Sequence, residues 1–481
     1  MKNIQKLLQI FGDLGWATTA TFAMAIAGIL LNLIVGNVFD ESGLGIYSLI
    51  TSIYLAIGTF ASGGLPGAVT KYATQWHNKD ETTRKTFFST GLILSLFYGI
   101  IFSILLYISN KQIAQFFDVA PLGELLKIAA LGIPVFLLNK VILAQLRGEQ
   151  KIRLYSIGEI LRYVALIFFT LILIYFYNNI KAVVWPLIIA EVILLFFLSY
   201  FFSLHHSLLL KNFKSIAKKL IDFGYKIILS RFFIEVEMKI GLFIIGYYLS
   251  PADVGIFTVA LMFGNALTLL PTAFQKITGP KITNLYLYRS SSDLEKFINQ
   301  CMQTTCFALT FICIPLIVFF DNIISIIYPQ QNSFLLAKNI FYILAIGLIF
   351  RGTLASVGSI FVSIGKPDIV LKLSPIRLSI NLILSIYLIH KLKIIGVAIG
   401  TSVTGFAVFM LWTFYIEKIN KIKIKYTPIF SIISFGIIIS FLNLFLKENL
   451  ILLLTLPLTL ICFIYFSYKI LNIKNILKEI L

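Results

Sequence analysis

Between Tyr225 and Tyr248 runs an apolar stretch long enough to span a bilayer, interrupted by Lys226, Arg231, Glu235, Glu237 and Lys239. A charge at such depth costs about 3 kcal/mol, so these residues are rare and face a protein interior or a wet cavity. At about 100° per residue, Arg231, Glu235 and Lys239 share one face of a helix, spaced i, i+4, i+8. Lys226, Ser230 and Glu237 share nearly the opposite face. A helix polar on two sides can turn neither to lipid. It belongs inside a bundle, and the chemistry of its side chains is binding: Lys and Arg hold anions, Arg through a bidentate fork.

Among the further bases inside apolar windows, Lys140, Arg162, Arg351 and Arg377 join Arg231 and Lys239 as candidates. At about 1.5 Å per residue, Lys239 and Arg351 fall near mid-membrane, and Arg162 and Arg377 about two turns from the inner face. All six are candidates for a cationic substrate path. Each has a plainer alternative. Lys140, Arg162 and Arg377 could snorkel to the inner surface, and Arg231, Glu235 and Lys239 could form a structural ion-pair ladder. Arg351 has no acid within a turn on its own helix, which favours a cavity role. For coupling to a proton, Glu235 and Glu237 are the best-placed carboxylates, with Glu191 a further candidate and Asp222 and Glu159 at the inner edge. A sodium site would need clustered oxygens that spacing does not reveal. Asn32, Asn139, Asn265 and Asn381 either line a sugar path or bond helix to helix.

The elements that must position these groups follow from composition. Of 481 residues 59% are hydrophobic and only 13% charged, with mean hydropathy +0.93; an average soluble protein has about 25% charged residues. The expected fold is an all-α polytopic membrane protein. Apolar windows of spanning length fall at 15–38, 45–65, 87–108, 125–146, 157–176, 183–203, 226–248, 254–275, 297–320, 338–361, 371–389, 394–416, 427–446 and 449–470, about fourteen helices. The first is longer than a signal-peptide core and lacks a small-residue cleavage pattern after it, so it reads as a helix that stays. The four cysteines (Cys301, Cys306, Cys313, Cys462) lie in apolar stretches and read as small core residues. With His77, His205, His206 and His390 scattered over loops, no metal site and no cofactor is expected.

Of the 40 Lys and Arg, 26 fall in the N-terminus, the C-terminal tail and every second loop, against six in the intervening loops. The positive-inside rule then places both termini in the cytoplasm and requires an even number of helices. The net charge of +19 becomes a topological device facing anionic membrane lipids, and a nucleic-acid partner loses its support.

The second half echoes the first. Leu44-Gly45-Ile46-Tyr47 matches Val254-Gly255-Ile256-Phe257 at a shift of 210, with Lys71 on Lys281. Asp13-Leu14-Gly15-Trp16 resembles Asp222-Phe223-Gly224-Tyr225, and Gly148 after the fourth helix corresponds to Gly365 after the tenth. A six-helix duplication with matched sidedness makes two parallel lobes, 1–210 and 211–420, related by a pseudo-two-fold axis along the membrane normal, with 421–481 as an appended helix pair.

Fourteen helices in this plan, charges on the seventh, and the Gly-Ile-Tyr and Gly-Ile-Phe openings resemble the polysaccharide-transport (Wzx-type) flippases, from about Leu7 to Leu471. That superfamily also holds the MATE exporters and lipid II flippases. The resemblance implies a V-shaped fold with a cationic central cavity, working by alternating access in the bacterial cytoplasmic (inner) membrane. It implies a lipid-linked oligosaccharide as substrate, carried on undecaprenyl diphosphate for O-antigen, capsule or exopolysaccharide synthesis. Polysaccharide polymerase and chain-length machinery are the expected partners, and no enzymatic activity is expected. One alternative is a MATE-type cation or drug antiporter, though helix-embedded bases outnumber acids here. Another is a membrane-embedded polymerase or ligase, which would use a large outer loop; the segments Ser109–Glu124 and Asp321–Ala337 are short and nearly uncharged.

Overall fold

The computed structural model describes residues 2–76, 81–203, 212–288, 290–366, 368–420, 422–445 and 457–465. The side chains of Lys226 and Ser230 lie outside that set, as do His77, His205, His206, both ends of the fourteenth predicted span and the basic tail. Among the described residues every regular element is helical. In chain order these are α1 (Lys2–Ala61), α2 (Leu65–Trp76), α3 (Glu81–Phe116), α4 (Ala120–Gly148), α5 (Ile152–Tyr177), α6 (Trp185–Ser203) and α7 (Phe213–Tyr248). There follow α8 (Pro251–Tyr288), α9 (Ser291–Val318), α10 (Phe320–Ile327), α11 (Ala337–Ala355), α12 (Ile360–Ser363), α13 (Asp368–Asn420) and α14 (Tyr426–Phe445).

Ten helical stretches among the described residues are long and apolar enough to cross a membrane. Two of them are double crossings. Helix α1 bends at Asp40, whose φ is +58°, and α13 bends at Lys393, whose φ is +50°. Both bends fall where the hydropathy pattern separates two spans. At the first, the Asp40 carboxylate accepts the Ser42 and Gly43 amides at 2.9 and 3.2 Å, capping the helix that follows. Helix α7 is excluded from the ten by its charges, not by its length of 36 residues. With α7 and the 457–465 segment added, the protein is a multi-pass membrane protein of about fourteen crossings.

The chain divides into two compact units, Met1–Gly255 and Ile256–Leu481. The half-boundary at 210 is an expectation from the sequence echo. The contact unit runs on through α7 because that helix packs against α1, α2 and α3. Within the first unit α4 is the central element, touching α1, α2, α3, α5 and α6, and buried residues occur on all its sides, as for a helix inside a bundle. In the second unit α9 packs on α11 and α14, and α11 on α13. There the extended residues 422–425 are tied down by side chains: Glu295 accepts the Lys423 amide at 2.9 Å and Asn299 bonds both Lys423 and Lys425. Cys301, Cys306 and Cys313 are buried as the apolar context suggests, whereas Cys462 is exposed.

Each unit ties two helices together by a threonine hydroxyl on a backbone carbonyl at a helix end. Thr70 donates its hydroxyl to the Ala144 carbonyl at 3.0 Å, and Thr74 to that of Gly148 at 3.2 Å. In the second unit Thr278 donates to Ser356 at 2.6 Å. The Gly-Ile-aromatic echo also acquires a reason. A Cβ on Gly45 would overlap the Pro251 carbonyl, and one on Gly255 would overlap the Glu41 carbonyl, so two backbones cross where only glycine fits.

The break Gly63-Gly64-Leu65-Pro66-Gly67 separates α1 from α2. Gly64 has φ +71°, and its missing Cβ leaves room for the backbone of Gly224 on α7. Gly64→Ala meets both a left-handed backbone and that overlap. We expect it to cost roughly 1–3 kcal/mol, seen as a lower thermal midpoint of the purified protein.

Candidate functional site

In the first unit a cavity of about 150 Å³ lies where the α1–α2 break, α4, α5 and α7 meet. That volume holds roughly five waters. One stripe of α4 forms a wall: Phe136, Lys140, Leu143 and Arg147, spaced i, i+4, i+7, i+11. Helix α5 adds Tyr155 and Glu159, four apart, and α7 adds Ile227 and Arg231, also four apart. The end of α1 supplies Thr59, and the residues from there into the start of α2 supply Ser62, Gly64 and Gly67. The lining thus carries three bases and one carboxylate.

Neighbouring structure holds the bases apart. The Lys140 ammonium stands 5.0 Å from the Phe136 ring and the Arg147 guanidinium 5.2 Å from that of Tyr155, each in cation–π range. None of the ion pairs formed by the described residues takes up Lys140, Arg147 or Arg231. Arg147 is further fixed by the α4–α5 turn. There the buried Glu149 accepts Gln145 at 2.7 Å, pairs with Lys151 at 2.8 Å, and has Arg84 of α3 at 3.7 Å. Three bases that form no ion pair among the described residues thus line one cavity, with Glu159 as its carboxylate.

Arg162 has a different setting. It is buried and is not among the lining residues; its Nη1 meets Glu159 at 2.8 Å and its Nε lies 3.0 Å from Glu191. Glu191 is held in turn by Asn139, whose Nδ2 donates to its carboxylate at 2.7 Å and to its backbone carbonyl at 2.8 Å. The Tyr54 hydroxyl and Asn139 Oδ1 are buried without a hydrogen-bond partner among the described residues. Arg162 is therefore the centre of a buried polar cluster beside the cavity wall, with Glu159 belonging to both. Asn139 serves as a helix-to-helix tie.

The other expected site residues are placed elsewhere. Lys239 and Glu235 are half-buried on α7 and outside the lining, and no ion pair among the described residues joins Arg231, Glu235 and Lys239. The structure thus lacks the ladder that their spacing allows. Glu237 is buried on the same helix. Arg351 on α11 and Arg377 on α13 belong to the second unit, where both are half-buried and neither is without a partner. Arg147, which the sequence places only among the basic loop residues, and Tyr155, which it does not single out, are also lining residues. The seven-residue interval from Lys140 to Arg147 was the available signal, two turns along one helix face.

A family model described as "Polysaccharide biosynthesis protein" matches residues 45–334, from Gly45 at the helix crossing to just before α11. The chain belongs to the polysaccharide biosynthesis protein family. A relative from Shigella flexneri, provisionally assigned as an O-antigen transporter, is 21% identical over 399 residues, covering 81% of this chain and 92% of the relative. Among solved structures, a lipid II flippase in an inward closed conformation superposes with a TM-score of 0.76 at 17% identity. It spans 94% of this chain and 98% of its own. A multidrug MATE transporter in an inward-facing conformation gives 0.71 at 18% identity, covering 82% of this chain and 95% of its own. Those likenesses establish that this polysaccharide biosynthesis protein has the fold of the lipid II flippase and MATE transporter structures.

Proposed function

We propose that this protein is a flippase that carries an undecaprenyl-diphosphate-linked oligosaccharide across the bacterial cytoplasmic membrane by alternating access. The product would feed surface polysaccharide synthesis, with a polymerase and chain-length machinery acting downstream. The carrying observation is the cavity in which Lys140, Arg147 and Arg231 converge with a single carboxylate. A diphosphate diester needs charge and several donors at once, and a lysine with two arginines supplies both. The volume suits a diphosphate rather than a sugar chain, so the sugars extend into solvent and the prenyl tail stays in lipid. By the distribution of basic loops, both termini lie in the cytoplasm and the cavity sits toward that side. There a substrate assembled on the inner leaflet would first meet it. The sequence halves 1–210 and 211–420, with the pair 421–481, provide lobes that could rock about such a site. A cation exporter would be served poorly by this lining, because three bases repel what it must bind. No covalent step is required.

Reconstitution of the full chain into vesicles holding a fluorescent polyprenyl-diphosphate sugar tests the reading. We expect faster loss of inner-leaflet label than in protein-free vesicles. Equal rates would refute it.

A further inference from the structure

We propose that Glu159 takes up one proton when the cavity accepts a diphosphate, and that Glu191 makes this uptake tolerable by retaining Arg162. The inference rests on the anion-binding reading of the cavity. Glu159 is the one carboxylate among the described lining residues, and it also holds Arg162 at 2.8 Å. An anion placed among Lys140, Arg147 and Arg231 therefore arrives beside a negative charge, and each disfavours the other. A like charge brought near a carboxylate favours its protonated form. By linkage, the proton must then favour the anion to the same extent.

Protonating a buried ion-pair partner ordinarily leaves the other charge stranded. Here it does not. Arg162 lies 3.0 Å from a second carboxylate, Glu191, which Asn139 fixes in place. With Glu159 neutral, Arg162 and Glu191 still balance. The charged and titratable groups around Glu159 and its partner Arg162 come from several helices: Lys140 and Arg147 on α4, Tyr155 and Tyr163 on α5 and Arg231 on α7 beside Glu159, with Glu191 on α6 and Tyr54 on α1 against Arg162. Tyr155 lines the same cavity one turn from Glu159 on α5, and a phenol can accept from a protonated acid as well as donate to an ionised one. The proton comes from water in the cavity and returns there when the headgroup leaves. Each transport cycle could thus carry a proton alongside the lipid.

The experiment is calorimetric binding of a short-chain prenyl-diphosphate-linked sugar to the full-length protein. A diphosphate diester keeps both charges between about pH 5.5 and about pH 8.5, so any pH dependence belongs to the protein. Wild type should bind more tightly as pH falls, by up to about tenfold per pH unit for one linked proton. The binding heat should also differ between buffers of unlike ionisation enthalpy, showing uptake of the proton. Glu159→Gln, already neutral, should bind at the upper pH as wild type does at the lower, with no buffer dependence. Glu191→Gln leaves Glu159 as Arg162's remaining carboxylate partner, so uptake should move to more acidic pH. If Glu159→Gln does not fold, wild type and Glu191→Gln decide between them. Binding without proton uptake in wild type, uptake that persists in Glu159→Gln, or a Glu191→Gln profile like wild type would each overturn the proposal. Failure of wild type to bind the probe at any pH would instead sink the anion-binding reading of the cavity.

Discussion

Arg231→Ala should abolish translocation while leaving the folded protein intact. Arg231 is solvent-exposed on α7, lines the cavity and makes no ion pair among the described residues. Its removal therefore strands no buried partner and opens no core. What disappears is a forked cation facing the headgroup position. A charge-assisted hydrogen bond is worth roughly 1.5–3 kcal/mol, so affinity for a diphosphate probe should fall about 10- to 100-fold. Arg231→Lys should recover part of this, since it restores the charge but not the planar fork. Binding isotherms beside thermal unfolding curves decide the matter: unchanged affinity in a folded Arg231→Ala protein would remove Arg231 from the site.

The opposite signature is expected at Arg162. Arg162→Ala leaves Glu159 and Glu191 facing each other in a buried space, 5% and 4% exposed, without their shared cation. Breaking a buried pair by removing one partner costs about 3–5 kcal/mol. We expect poor yield and a large drop in thermal midpoint, read by fluorescence size-exclusion after heating. Replacing Arg162, Glu159 and Glu191 together by Met, Gln and Leu should restore much of the stability, because no unpaired charge then remains. A folded Arg162→Ala protein with wild-type melting but lost probe binding would move Arg162 from the scaffold into the substrate site.

Set side by side, these two arginines show where one-dimensional reasoning stops. Both are bases in apolar windows, and both were candidates for the same path. Periodicity gives each a helix face, but not the residue that faces it. For Arg162 the answer is Glu191 on α6, twenty-nine positions along the chain but 3.0 Å away. For Arg231 it is an open space shared with Lys140 and Arg147 of α4, which the sequence order keeps far from it. Likewise Arg231, Glu235 and Lys239 have the spacing of an ion-pair ladder and do not form one. Spacing permits a contact, and rotamers and neighbours decide whether it is made.

Composition and pattern alone determined that this chain is a membrane protein of about fourteen helices in a repeated plan. They separated the paired apolar windows between which the structure bends, at Asp40 and Lys393. These are local and averaged properties: twenty apolar residues must be helical in lipid whatever surrounds them, because no water is present to satisfy the backbone. The echo of Gly45 and Gly255 was visible as well, although its cause, a backbone crossing, was not. Tertiary structure alone decided which of the bases stand open in one cavity, that α7 packs with the first unit, and that Glu159 serves both the cavity and a buried pair. Such properties depend on distances between helices, and these are set by how side chains from remote segments interlock.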